Sequence, residues 1–340
     1  MKDRITVSVI LPACDAAATL ERAVSSIVCQ SFARFELILV ENGSSDETYR
    51  IASGWARRDP RIRIERLDRS DLVAALNRGI AVARGDYLAR MDADDIAHPR
   101  RLEMQAAFLD EHPEIDLVAC RVAYGGDPSR NAGFAEYVAW SNRLLSPEEI
   151  ALNRFVESPV VHPSVMFRRS LVERYGTYTP GPFPEDYELW LRCLEGGARF
   201  AKLPEVLLTW SDSPARLTRT DLRYARDRFF AVKARYLATY LQRVNPHHPR
   251  IWLIGAGRVA RRRARLLEPF GVEVAGYVDI DPRKIGHCIQ GKPVISREEA
   301  PAPGEAFLVS FVAARGARDD IEAWLQARGH LPGIDYLLAA

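Results

Sequence analysis

The segment ARMDADDIAHP sets three carboxylates, Asp92, Asp94 and Asp95, between an apolar run and a proline-led helical pattern, PRRLEMQAAFL. Like charges packed this closely are costly unless a cation or hydrogen-bond donors compensate them. Hard divalent cations that bridge phosphates are held by one or two protein carboxylates, with water and phosphate oxygens completing the shell. The bland alternative is an acidic turn whose Asp residues cap the next helix. A second carboxylate pair, Glu185-Asp186, follows Pro184 at the head of EDYELWLRCLEGG. One carboxylate suffices as a general base toward a hydroxyl, and acidic residues also suit the first turn of a helix and its dipole. His162, in HPS, reads either as a packed, hydrogen-bonded histidine or as a group beside a binding site.

Positioning these groups falls to an alternation of β-branched runs and helical patterns over the first 120 residues, the mark of a layered α/β fold. ITVSVILP, FELILVEN, RIRIERL and YLARMDA read as strands. TLERAVSSIVCQ, opened by Thr19, SDETYRIASGWAR, capped by Ser45, and DLVAALNRGIAVA read as helices. Strands this continuously apolar imply a buried, mostly parallel sheet, whose ligands sit beyond the carboxyl ends of the strands. Three strands end in Pro12–Asp15, Glu41–Asp46 and Asp92–Asp95, so polar groups gather along one edge. Residues 120–215 are less regular. Asp221–Gln242 then forms a helix pattern with Leu222, Ala225, Phe229, Val232 and Tyr236 as its apolar stripe, and NPHHP (245–249) ends it.

The chain has 340 residues, which at roughly 150 per domain suggests two or three domains. At 47% hydrophobic and 27% charged it is an ordinary globular composition, and chain-wide disorder is excluded. A net charge of +2 is too near balance for a generic polyanion binder, so no nucleic-acid partner is expected. The balance is uneven along the chain: Arg216–Arg243 carries eight basic residues against two acidic. With Tyr224, Phe229, Phe230, Tyr236 and Tyr240 interleaved, that helix reads first as a packed helix with solvated charges, and second as a peripheral contact with an anionic membrane. The five cysteines are scattered without a C-x-x-C, which favours reduced core thiols over disulfides or zinc. No run approaches the roughly 18 apolar residues of a membrane span. A cytoplasmic location is expected.

Around the acidic segment, many short motifs agree. VILPACD with Thr19-Leu20, VENGSSDET, LNRG around Asn77, GDYL, MDADD, HPSVMFR, PEDYELWLR and LPEVLLTW occur in order. Over roughly residues 5–220 the sequence resembles the GT-A glycosyltransferases of family 2. The resemblance implies an inverting, metal-dependent sugar transfer from a UDP-, dTDP- or GDP-sugar to a glycan or lipid-linked hydroxyl acceptor, in surface polysaccharide synthesis. It places Pro12, Asp15, Glu41 and Asp46 at the nucleotide, with Glu41 where relatives carry Asp. It puts Asp92 at the ribose and metal, Asp94 on Mn2+ or Mg2+, and Asn77 and Arg90 near the donor sugar or diphosphate. Asp186 takes the general-base role, with Glu185 second, and His162 and Trp190 fall on the acceptor side. Relatives often read Y-R-x-H-P-G where this chain has WSDSPA, so Ser213 stands in place of a histidine, and Asp212 or Arg216 are its substitutes.

From Arg250 a new strand–turn–helix begins, IWLIGAGRVARRRARLLE, with Gly255-x-Gly257-x-x-Ala260 in its turn. The next strand ends at Asp279, near the position where such folds bind a ribose. About 90 residues allow one small Rossmann-like unit, similar to the domains that precede the β-helix of sugar acyltransferases. NAD, another nucleotide, or no ligand at all fits that resemblance. The expected organisation is a transferase domain over 1–220, a basic helical connector over 221–249 and the Rossmann-like domain over 250–340, with a homodimer as one assembly. Alternatives from other classes are a sugar nucleotidyltransferase, an NAD-linked sugar-modifying enzyme, and a binding-only regulator on a decayed transferase scaffold.

Overall fold

The computed structural model describes residues 5–213, 216–314 and 316–340. They form two compact units, one running to Ala151 and resuming over Pro159–Leu222, the other combining Leu152–Ser158 with Arg223–Ala340. To Thr220 the elements are β1 (Val7–Ala13), α1 (Leu20–Val28), β2 (Phe35–Asn42), α2 (Thr48–Arg58), β3 (Ile62–Leu67), α3 (Leu72–Val82), β4 (Tyr87–Arg90), β5 (Ile96–Ala97), α4 (Arg101–Glu111), β6 (Leu117–Tyr124), α5 (Ala132–Ser141), α6 (Pro147–Asn153), β7 (Met166–Arg168), α7 (Arg169–Tyr175), α8 (Glu185–Glu195), β8 (Phe200–Trp210) and α9 (Leu217–Thr220).

The strands form one sheet in the order β3-β2-β1-β4-β7-β6-β8-β5. β3, β2, β1 and β4 are mutually parallel, as their unbroken apolar runs predict, and every residue of β1 and β2 is buried. Two polar residues inside those runs have a specific reason to be there. Ser8 and Glu36 are register partners, and the Ser8 hydroxyl donates to Glu36 at 2.7 Å. Glu36 also accepts from the Arg84 guanidinium and main chain, which ties the turn before β4 to the sheet. The helices bury one stripe each. In α1 that stripe is Leu20, Ala23, Val24 and Ile27, an i, i+3, i+4, i+7 set worth roughly 1.5–3 kcal/mol for each large side chain. The cap of α2 differs from expectation: Asp46, not Ser45, accepts the Thr48 N–H at 2.9 Å. The Thr19 hydroxyl makes no cap bond to α1.

The second unit contains α10 (Arg226–Val244), β9 (Arg250–Ile254), α11 (Arg258–Ala264) followed by a 3-10 helix over Arg265–Phe270, β10 (Glu273–Val278), β11 (Cys288–Ile289), β12 (Lys292–Ile295), β13 (Leu308–Ser310), α12 (Ala317–Ala327) and β14 (Tyr336–Leu338). Its sheet runs β11-β12-β10-β9-β13-β14 and is parallel except for the β11–β12 hairpin. The basic helix belongs to this unit. Its buried face is Phe230, Lys233, Ala234, Leu237, Ala238 and Leu241, one residue round from the expected stripe. Within that face the Lys233 ammonium is sunk among the carbonyls of Phe155, Val156 and Ala339 at 2.7–3.1 Å. Cys120 and Cys193 are core thiols, but Cys29 and Cys288 are exposed, contrary to the expected pattern. Among the described residues no helix is long and apolar enough to cross a membrane.

Candidate active site

The loops after β1 and β2 are stitched into one surface. Asp15 stands in the left-handed region at φ 46°, and its Oδ1 accepts from the Ser45 amide and hydroxyl at 2.8 and 3.0 Å. Asp46 accepts from Ala17 N–H at 3.0 Å and from Thr48, which keeps its carboxyl below the usual range despite some burial. Of the four residues assigned to the nucleotide, Asp15 is the exposed one with a carboxylate oxygen unclaimed. Asp46 is a cap and a loop tie. Glu41 is 1% exposed, with Oε1 on the Ser44 amide at 2.6 Å and Oε2 on Arg66 at 3.0 Å. Glu41, expected at the base, also shapes the Gly43 turn through these two contacts. Pro12 is buried beyond the last β1–β4 pair, Ile10↔Arg90, so its missing N–H costs no ladder bond there.

Gly43 adopts φ +69°, and a Cβ there would lie 2.8 Å from the backbone of Arg69 and Ser70. Gly43→Ala is therefore expected to cost about 2–4 kcal/mol, read as a lowered urea midpoint with an unchanged slope.

β4 stops at Arg90, which leaves the acidic segment on a turn. Arg90 is 3% exposed and donates to Asp92 at 2.5 Å and to the Met91 carbonyl. Arg90, expected near the donor diphosphate, serves Asp92: its buried charge holds that carboxyl low against the desolvation that would raise it. Asp95 is buried, with Oδ1 on the Ser211 amide at 2.8 Å and Oδ2 lacking any partner. Burial, then the neighbouring acids, push the Asp94 and Asp95 carboxyls up. Ligand atoms of Asp92, Asp94 and Asp95 lie within 4.8 Å of one another. An orphaned buried oxygen beside two further carboxylates is a donor set that fits a hard divalent cation.

The stretch that lacks the histidine is partly described. Asp212 is committed elsewhere, accepting from Tyr124, Asn131 and Arg219. Arg216 stacks 4.0 Å over the Trp210 ring and brings Nη2 to 3.8 Å from Asp92. It is the cation that faces the acidic turn, Arg90 aside. Among the described residues Ser213 makes no hydrogen bond to the acidic cluster, and Pro214 and Ala215 lie outside them.

Asp186 opens α8. The helix dipole and the Tyr187 N–H at 2.7 Å favour its ionised form, yet burial and the adjacent Glu185 win and push its carboxyl up to about 7. His162 Nδ1 is 4.0 Å from Asp186, and its Nε2 meets the Tyr178 hydroxyl at 2.7 Å. Burial, then Arg90, hold the imidazole well below its ordinary pKa, so it is neutral. Arg90 links the two carboxylate groups: it binds Asp92, and its charge acts on His162, Asp186 and Tyr178. Glu185 is 2% exposed, which leaves Asp186 the more accessible of the pair.

Two of the expected contact residues have structural duties. Trp190 is fully buried, edge-on to His162, Phe167 and Phe200, so it is core beneath the site and not an acceptor surface. Asn77 spends both ends of its amide on the Tyr178 main chain, at 2.9 and 3.0 Å, which fixes Tyr178 and, through it, His162. Sequence reading missed Tyr178 and the buried pair Arg101 and Gln105. Arg101 donates to the Arg90 carbonyl at 2.7 Å, and Gln105 to the Ser164 carbonyl at 2.8 Å. An arginine on the inner face of the PRRLEMQ helix was the available signal.

In the second unit, Asp279 is held by its own neighbours. Its Oδ2 accepts from Ala256 N–H at 2.7 Å, its Oδ1 from the Ile280 and Asp281 amides, and Lys284 sits 3.3 Å away. Asp279, expected at a nucleotide, here ties down the Gly255–Gly257 turn, in which Gly255 has φ +91°.

Comparison with known proteins adds to this geometry. The family described as Glycosyl transferase family 2 matches residues 8–176. The Bacillus subtilis glycosyltransferase EpsE is 33% identical over 233 residues, 66% of this chain and 80% of that protein. The amylovoran biosynthesis glycosyltransferase AmsE of Erwinia amylovora is 31% identical over 191 residues, 56% of this chain and 69% of its own length. Among solved structures, S. aureus TarS 1–349 in complex with UDP-GlcNAc aligns with TM-score 0.55 at 16% identity, covering 78% of this chain and 71% of that one. That likeness concerns the fold.

Proposed function

Because the chain belongs to glycosyl transferase family 2, we propose that it transfers a sugar, with inversion, from a nucleoside-diphosphate sugar to a hydroxyl of a polysaccharide or lipid-linked acceptor, with a divalent cation at Asp92, Asp94 and Asp95. The enzyme class is glycosyltransferase. One observation carries the finer reading: the buried charge of Arg90 couples the two carboxylate groups, bonded to Asp92 and acting electrostatically on the raised carboxyl of Asp186. The names of AmsE, an amylovoran biosynthesis glycosyltransferase, and of the E. coli O-antigen biosynthesis glycosyltransferase WbnJ support a role in surface polysaccharide synthesis.

The cation would supply charge neutralisation and a template for the diphosphate. The chain's own groups do the rest. Asp15 and the Ser44-Ser45 turn offer contacts to the nucleoside. Arg216, stacked and directed at Asp92, offers its guanidinium to the diphosphate as charge accumulates there. Asp186 accepts the acceptor hydroxyl's proton as its oxygen attacks the anomeric carbon from the face opposite the leaving diphosphate. A carboxyl poised at about 7 suits that transfer near neutral pH. His162, fixed by Tyr178, packs beside Asp186 and forms part of the wall around it.

A panel of nucleotide sugars with Mn2+ tests this reading. Release of nucleoside diphosphate with at least one donor is expected. No binding and no turnover with any donor would overturn it and favour the binding-only alternative. Arg216→Ala is expected to weaken nucleoside-diphosphate affinity about tenfold in titration calorimetry, and Arg216→Lys to restore only part of it, since a point charge lacks the stacked fork.

A further inference from the structure

The second unit holds a cavity of about 210 Å³ between α11 with its following 3-10 helix and the face of β9, β10 and β12. We infer that this cavity binds a small phosphorylated sugar, a ligand distinct from the nucleotide sugar of the first unit. Arg261, Arg265 and Lys292 converge on it, against one carboxylate, Glu268. The ordinary reading of such residues is a solvated surface. Three observations favour a ligand.

First, two of the cations are held in place. Arg261 Nε donates to the Ala256 carbonyl at 3.0 Å, and the Lys292 ammonium donates to the Val274 carbonyl. Each bond fixes a charged head and leaves further N–H groups unspent, the arrangement that recognises a phosphate at low entropic cost. Second, Arg265 and Glu268 have no partner among the described residues, and they do not pair with each other despite their i, i+3 spacing. An excess of unneutralised positive charge beside a cavity attracts an anion. Third, the wall carries sugar-type contacts. Tyr277 is buried, with its hydroxyl 3.4 Å from Gln290, which stands at the hairpin turn with φ 55°. Tyr277 offers an aromatic surface, while Gln290 and Glu268 offer hydrogen bonds to hydroxyls.

Size narrows the ligand. The cavity equals about seven water volumes and is below the ~300–1,000 Å³ of drug-sized sites. A monosaccharide phosphate suits that space, and a dinucleotide does not. The Gly255 turn, where a dinucleotide would lie, is a separate place, tied to Asp279 through the Ala256 N–H.

The test titrates the full-length chain with glucose 1-phosphate in the presence of saturating UDP and Mn2+, which occupies the first unit's donor site. Inorganic phosphate and glucose are titrated separately. Saturable binding of the ester is expected, tighter than phosphate, with none for glucose. Arg265→Ala, an exposed position that leaves the core intact, is expected to weaken the ester at least about tenfold. Lys292→Gln, which keeps a donor toward Val274, is expected to weaken it similarly. Equal affinity for phosphate and ester overturns the sugar assignment. No saturable binding, or binding unchanged by both substitutions in variants with wild-type circular dichroism, overturns the site. Failure of the donor-sugar reading would appear separately, as absent binding of UDP, dTDP and GDP alike.

Discussion

Asp94→Ala is expected to lower kcat/KM for sugar transfer at least about a thousandfold without unfolding the protein. Of the three carboxylates in the acidic turn, Asp92 is bound by Arg90 and Asp95 by the Ser211 amide. Asp94 has no such protein partner, so it is the carboxylate most available to a cation. Losing a cation's stabilisation of departing diphosphate forfeits several kcal/mol, and about 4 kcal/mol is a thousandfold. Stability moves the other way. Burial and the charge on Asp92 oppose ionisation of Asp94, so removing the group relieves repulsion. The measurement pairs initial rates with thermal unfolding and with Mn2+-dependent UDP binding by calorimetry. A variant that keeps wild-type rates, or one whose rate loss tracks a fallen Tm, would refute the assignment.

Asp186→Asn carries the second large effect. As general base, Asp186 is expected to be worth about 10²- to 10⁴-fold in kcat, with donor affinity largely kept. In the wild type, kcat/KM is expected to rise with pH through about 7, because only the ionised carboxylate accepts a proton and its pKa stands there. The asparagine variant should lose that limb, and Asp186→Glu should retain it. Stability again opposes function. The folded carboxyl has a pKa above its unfolded value near 3.9, so the native state binds the proton more tightly than the unfolded chain does. Its stabilising effect is complete below about pH 4 and is lost as pH climbs through about 7. At pH 8 the ionised group is a net cost, and Asp186→Asn is expected to raise stability by on the order of 2 kcal/mol. A variant both slower and less stable at pH 8 would place the residue in structure instead of chemistry.

Much of this site is local and was legible. Three parallel strands ending in polar residues are written as apolar runs that stop at Asp15, Glu41 and Asp92, since side-chain periodicity and turn chemistry act over a few residues. The acidic turn and the Glu185-Asp186 pair need nothing remote to be seen. Groups whose meaning lies in a distant partner were not legible. Asn77 is committed to Tyr178, 101 residues away, and Asp95 to Ser211, 116 away. Glu41 reads as an available acceptor until Arg66 and the Ser44 amide are found on it. The same limit applies to Asp279, a ribose ligand by position and a backbone lock by contact.

By itself, then, the amino-acid order determined the α/β layering, the family and the carboxylates on the sheet edge, because each rests on short-range patterns of burial, turns and charge. Tertiary structure decided the duties of individual residues. It turned Arg90 inward to Asp92, buried Trp190, set Arg216 on Trp210 and tied down the Gly255 turn. A side chain's chemistry follows from which donors, charges and solvent reach it, and those are fixed only when distant segments pack together.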